Sequence, residues 1–157
     1  MLVGENGVGR RSLARALGFA LPRLHRPLAV EYAGPFVFPP PEFLENRRFY
    51  RALITTSMEC DDLLLLQDAT RRTSAFPPGF ARIFNRRVWG VVTKTDRADA
   101  DVPRAQRFLQ SAGLQNCYAV STVTNANGGT GGAGGTGAEG ITTLRELRAA
   151  LFPHMSV

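Results

Sequence analysis

Short apolar runs alternate with amphipathic stretches along this chain of 157 residues. That alternation predicts βα units and a mostly parallel sheet. Leu2 and Val3 predict the end of a first strand, and residues 12–19 a helix. Residues 28–32 and 35–38 predict two further strands, antiparallel and joined at Ala33-Gly34. From Glu42 to about Thr56, the side chains Phe43, Phe49, Leu53 and Ile54 fall roughly on one face. They predict one long amphipathic helix, blocked from extending backwards by Pro39-Pro40-Pro41. Residues 63–67 and 88–93 are continuous apolar runs between polar punctuation, the pattern of central strands buried on both faces. Residues 76–80, with two prolines and a glycine, predict a rigid loop. Residues 102–112 predict a helix ended by Gly113, residues 117–120 a last strand, and residues 142–151 a closing helix. Together these elements predict a single α/β domain over residues 1–157, a three-layer α/β/α sandwich whose mostly parallel sheet has about six strands.

One segment departs from the pattern. Eight of the thirteen residues from Gly128 to Gly140 are glycine. Such a stretch buries too little surface to offset its ordering entropy, so residues 126–140 are expected to form a flexible insertion.

Composition narrows the class. A hydrophobic fraction of 44% suits a globular protein. No apolar run approaches the roughly 20 residues of a membrane helix. The first residues lack the basic and apolar regions of a secretory leader. Cys60 and Cys117 are too few for a disulfide framework and sit in no metal-ligand pattern. These features predict reduced thiols, a cytoplasmic location and no membrane partner. The formal net charge is +6, carried almost wholly by arginine. The doublets Arg10-Arg11, Arg47-Arg48, Arg71-Arg72 and Arg86-Arg87 are dispersed and lack interleaved aromatics, which argues against nucleic acid as the main partner.

Two motifs carry chemistry. Gly4-Glu5-Asn6-Gly7-Val8-Gly9-Arg10-Arg11-Ser12 follows a strand end and precedes a helix, the context of a phosphate-binding Walker A loop. Glycines there let backbone N–H groups turn inward around phosphate oxygens. The usual pattern is G-x-x-x-x-G-K-[ST]. Gly4 and Gly9 fit it, but Arg10 stands in place of lysine and Arg11 in place of the hydroxyl that binds Mg²⁺. A guanidinium is a donor with no acceptor and ligates no cation. Ser12 falls one residue late. The second motif, Thr93-Lys94-Thr95-Asp96, closes a central strand and matches the [NT]-K-x-D element of GTPases. Its aspartate would accept two hydrogen bonds from guanine that adenine cannot supply, and its lysine stem would pack along the base. Lys94 is the sole lysine of the chain. Ser121 and Thr122, at the end of the last strand, stand where GTPases touch the base edge with their backbone.

Three stretches extend the picture: FPPGFARIFNRRVWGVVTKTD over residues 76–96, EFLENRRFYRAL over 42–53 and, more weakly, AVEY over 29–32. They closely resemble the EutP/PduV family, GTPase-fold proteins associated with ethanolamine and propanediol utilisation and with bacterial microcompartments. The resemblance covers nearly the whole chain outside the glycine-rich insertion. It implies a P-loop NTPase fold of the small-GTPase type. It also implies a guanine nucleotide (GDP or GTP) as ligand, and microcompartment shell or enzyme proteins as partners. On this resemblance Gly4, Asn6, Gly7, Val8, Gly9, Arg10, Arg11 and Ser12 would face the phosphates, and Thr93, Lys94, Asp96, Ser121 and Thr122 the base.

The departures from the family pattern fall on the metal. Where the family has a P-loop resembling G-K-T-T-L, this chain has Arg10-Arg11-Ser12 after Gly9. Pro27 replaces a switch-region threonine. Phe38 replaces the aspartate of a D-T-P-G element, and Pro41, which has no N–H, replaces its glycine. Three magnesium positions are changed together, at Arg11, Pro27 and Phe38. Phosphoryl transfer rests on positioning and on charge neutralisation by the metal, so hydrolysis is expected to be extremely slow or absent, and Mg²⁺ to bind poorly. No residue is assigned a catalytic role and none a metal. Two alternatives stay open. One is an active GTPase or other phosphoryl-transfer enzyme, using GTP or ATP. The other is a nucleotide-free scaffold in which Arg11 points into the phosphate site and fills it. His25 and His154 are expected on loops or the surface. Asp61-Asp62 are expected to cap the start of the Leu63 strand and stay solvated.

Overall fold

The computed structural model describes residues 1–22, 29–122 and 144–155. The glycine-rich insertion, Pro27 and His25 lie outside these residues, as does the start of each predicted element at residues 28 and 142. Strands β1 (Leu2–Gly4), β4 (Asp62–Asp68), β5 (Arg87–Thr93) and β6 (Cys117–Ala119) form one sheet in the order β1-β4-β5-β6, every neighbouring pair parallel. Strands β2 (Glu31–Ala33) and β3 (Phe36–Phe38) form a separate antiparallel pair joined through Gly34, whose φ is +58°. Among the described residues, the expected sheet of about six strands is therefore four strands plus a hairpin. Strand β3 touches β1 but makes no ladder with it. Only three residues of β3 lie between Pro35 and Pro39-Pro40-Pro41, and prolines bring no N–H donors to a ladder.

Among the described residues the α-helices are α1 (Arg10–Ala16), α2 (Glu42–Glu45), α3 (Tyr50–Ser57), α4 (Val102–Ser111) and α5 (Leu144–Leu151). The long helix expected from Glu42 is broken. Asn46 is extended (φ −118°, ψ +115°), its side-chain oxygen accepts from the Arg48 N–H at 3.1 Å, and a short 3₁₀ turn over Arg47–Phe49 leads into α3. This asparagine offers the backbone a local turn that competes with the helical bond. Helix α1 begins two residues earlier than expected, because Gly9 ends the preceding loop in the left-handed region. Gly18, with φ +95°, lies just past the α1 C-cap and stops the helix before Phe19. Helix α4 runs from the Asp101 cap, which accepts from Arg104 N–H at 3.0 Å, to just before Gly113 as expected.

Alternation along the strands divides the core into two layers. Val3, Leu63, Leu65 and Val92 face Leu44, Leu53, Phe80 and Leu109 from α2, α3, the 3₁₀ turn at Phe80–Ile83 and α4. Leu2, Leu64, Leu66 and Val91 face Leu13, Leu17 and Leu147 from α1 and α5, together with Phe36 and Phe38 of the hairpin. The four leucines of β4 are 3% exposed or less, and each contributes about 1.5–3 kcal/mol by leaving water. This three-layer arrangement puts the C-terminal ends of all four parallel strands along one edge, where ligands bind in open α/β sheets.

Candidate nucleotide site

Four strand ends supply the site. Beyond β1, the chain turns through a bond from Val8 N–H to the Glu5 carbonyl at 3.2 Å, with Gly7 at φ +77° and Gly9 at φ +101°. Residues with a Cβ are strained at such angles, so the two glycines let the chain coil back into α1. Two loop carbonyls are taken by the protein itself. Arg71 Nη2 donates to the Asn6 carbonyl at 2.8 Å, and the buried Thr93 Oγ1 donates to the Val8 carbonyl at 2.8 Å. In a trans peptide the following N–H points the opposite way, so the Gly7 and Gly9 N–H groups face away from these donors.

The ends of β5 and β6 meet beside this loop. Val120 N–H donates to the Val92 carbonyl at 2.8 Å, which carries the chain after β6 alongside the end of β5. Ser121 Oγ then donates to Asp96 Oδ1 at 2.8 Å, and Thr122 follows, half-exposed. Lys94 sits at φ +60°, a position rare for a residue with a side chain, and gives its ammonium to Asp68 Oδ2 at 2.7 Å. Asp68, 2% exposed at the end of β4, also accepts from the Thr70 N–H and hydroxyl. Burial alone would raise its carboxyl, but the hydrogen bonds from Lys94 and Thr70 outweigh it and hold the carboxyl below its ordinary range. Glu5 goes the other way. Burial raises its carboxyl, with Arg71 at 3.5 Å in partial opposition.

Sequence reasoning missed Asp68, Arg71 and Glu31. The signal for Asp68 was present: a carboxylate directly after an apolar central strand is unusual unless it is paired. Asp62 was misjudged. It is not merely solvated but accepts from Arg87 Nε and from Trp89 Nε1, both at 2.9 Å, while Asp61 is exposed as expected. His154 is exposed, and both cysteines are free thiols.

The residues at the magnesium positions do not fit a metal. Arg11 turns away from the phosphate loop rather than into it. Its Nη1 meets Glu31 Oε1 and Oε2 at 3.0 and 2.8 Å, its Nη2 donates to the Pro22 carbonyl at 2.6 Å, and its guanidinium lies 5.4 Å from the Phe38 ring centroid. A hard cation needs oxygen ligands; Arg11 and Phe38 bring none, and the nearby oxygens of Glu31 and Pro22 are taken by the Arg11 guanidinium. Among the described residues no cluster of His, Cys, Asp or Glu is arranged to hold a metal ion. Arg10 Nη1 donates to the Pro39 carbonyl, and burial, the largest influence on it, lowers its pKa against the opposing pull of Glu42. Ser12, on the first turn of α1, is exposed.

The fold and the loop together define an α/β protein of the P-loop NTPase type. Residues 1–129 match the PduV-EutP family, described as ethanolamine utilisation – propanediol utilisation. The chain belongs to this family. It is 32% identical over 126 residues to "Propanediol utilization protein PduV" of Citrobacter freundii, covering 80% of this chain and 84% of that one. It is also 32% identical over 115 residues to "Probable acetate kinase EutP" of Escherichia coli K12, covering 72% of each. A protein of the same name from Salmonella typhimurium matches to the same extent. Among the described residues no helix is long and apolar enough to cross a membrane.

Proposed function

We propose that this chain is a guanine-nucleotide-binding member of the PduV-EutP family that works without Mg²⁺ and hydrolyses its ligand extremely slowly or not at all. The observation that carries this reading is the pair of ties from the base element. Thr93 bonds the phosphate loop at Val8, and Ser121 fixes the Asp96 carboxylate. These bonds support the reading that the two parts of a nucleotide site are held together, while Arg11 and Phe38 stand where the metal would be held. Asp96 would accept from guanine and the loop N–H groups would meet the phosphates. Without a metal, the protein would act as a binding or assembly module in ethanolamine or propanediol utilisation. Its place would be cytoplasmic and microcompartment-associated, with shell or enzyme proteins as partners.

A second reading takes its support from the relatives named as acetate kinases. It requires phosphoryl transfer between acetate and ATP, and the misfit of the metal positions weighs against it. Calorimetric titration with GDP, GTP and ATP, each with and without Mg²⁺, tests the first reading. Guanine-selective binding indifferent to Mg²⁺ supports it. Metal-dependent turnover of ATP with acetate would replace it with the second, and a flat titration would leave a nucleotide-free scaffold.

A further inference from the structure

We propose that Arg10 and Arg11 form a built-in latch holding the β2–β3 hairpin and the start of α2 against α1 in one arrangement, whether or not a ligand is present. The two arginines are successive residues on the first turn of α1, and they diverge. Arg11 reaches the hairpin at a single rung. Glu31 and Phe38 are cross-strand partners, and the Arg11 guanidinium binds the carboxylate of one and lies over the ring of the other. One side chain thus grips both strands. Arg10 reaches the next segment, the Pro39 carbonyl between β3 and α2. The Pro40 and Pro41 carbonyls accept from the Phe43 and Leu44 N–H groups at the start of α2, whereas the Pro39 carbonyl accepts from the Arg10 side chain.

Two features make these ties matter. The hairpin has no ladder with the four-stranded sheet, so no backbone pairing fixes it there. Apart from one exposed bond, from the Tyr32 hydroxyl to Glu59 Oε2 at 2.8 Å, its remaining contacts among the described residues are apolar, through Ala33, Phe36 and Phe38 against Leu13, Ala14 and Leu17, which sets closeness but little direction. The Arg11–Glu31 pair is also sheltered, with side chains 26% and 12% exposed. Arg11 Nη1 reaches both Glu31 oxygens while Nη2 is held by the Pro22 carbonyl, which fixes the guanidinium, and losing one partner of a sheltered charge pair leaves the other uncompensated. These segments hold the positions that the family resemblance assigns to phosphate- and metal-responsive elements. Here covalently attached cations occupy that role, so no ligand has to arrive for the segments to settle.

Hydrogen exchange measured by mass spectrometry on the full chain tests the latch without assuming that nucleotide binds. In the unliganded protein, the amides of β2, β3 and α2 are expected to be protected, and GDP or GTP with Mg²⁺ to change their exchange less than twofold. Arg11→Met is expected to speed exchange in β2 and β3 at least tenfold and Arg10→Met to do so in α2, with β4 and β5 unaffected. Should Arg11→Met lose protection in β4 as well, Glu31→Gln and the reversed pair Arg11→Glu with Glu31→Arg take its place, the first loosening the hairpin and the second restoring it. Hairpin exchange equally slow in Arg11→Met or Glu31→Gln would overturn the latch. So would a tenfold slowing of hairpin exchange by GTP and Mg²⁺, and that result would leave nucleotide binding itself supported.

Discussion

The hydroxyl of Thr93, where β5 ends, donates to the carbonyl of Val8 in the phosphate loop at 2.8 Å, across 85 positions of the chain. Both residues are 1% exposed. This buried hydrogen bond joins the end of β5 directly to the loop after β1. Thr93→Val keeps the shape and removes the donor, leaving the Val8 carbonyl unpaired. The expected cost is about 1–3 kcal/mol. Urea unfolding at pH 7 measures it, and a midpoint equal to that of the parent would show that the bond contributes nothing.

Asp96 is exposed, so replacing it is expected to leave stability alone and to act on the ligand. Asp96→Ala should weaken GDP binding by about 10–100-fold, the worth of one to two charge-assisted hydrogen bonds, with an unchanged melting temperature. Ser121→Ala should weaken it less, since Ser121 acts by orienting the Asp96 carboxylate. Equal affinity for GDP in parent and Asp96→Ala, with both binding, would remove the guanine-selecting role.

The Asp68 carboxyl lies below its ordinary range in the folded protein, held there against burial by Lys94 and Thr70. A depressed carboxylate contributes stability above its unfolded pKa of about 3.9 and loses it as the pH falls through the lower, folded value. Asp68→Asn should be less stable than the parent by about 1–2 kcal/mol at pH 7, a figure discounted because Lys94 is partly exposed to water. The gap should close in acid. A gap that stays constant from neutral pH to pH 2 would mean that packing, and not charge, holds this corner.

Gly90 shows where the sheet admits no side chain. A Cβ there would stand 2.9 Å from Cys117 Sγ and 3.2 Å from Leu109 Cδ1. Gly90→Ala is expected to destabilise the protein by about 1–3 kcal/mol, the cost of overpacking a filled core. Thermal or urea unfolding reads this directly, and a neutral result would mean that α4 moves off β5 without penalty.

The same packing silences a thiol. Burial pushes Cys117 up to about 11, so it remains a thiol at neutral pH, while Cys60 is only half-buried. Iodoacetamide at pH 7.5 should modify Cys60 alone in the folded protein and both cysteines in urea. Mass mapping distinguishes the sites, and early modification of Cys117 would contradict its burial.

Much of this protein was written in local patterns. The leucine run of β4 announced a central strand because a strand buried on both faces has no polar alternation. Gly7 and Gly9 announced a tight loop because few other residues adopt their backbone angles. The Thr93-Lys94-Thr95-Asp96 element announced its place at a strand end. The break at Asn46 was also local, but helical periodicity on either side masked it. What only the tertiary structure decided were relations between distant residues. The separation of the hairpin from the sheet depended on whether β3 could find donors beside β1. The direction of Arg11 depended on Glu31 and Phe38 standing opposite one another on the hairpin. The roles of Asp62 and Asp68 depended on Trp89 and Lys94 arriving from the next strand. Periodicity reports which face of an element is apolar, but a long polar side chain takes its direction from partners that folding brings within 3 Å, and those partners are far away in sequence.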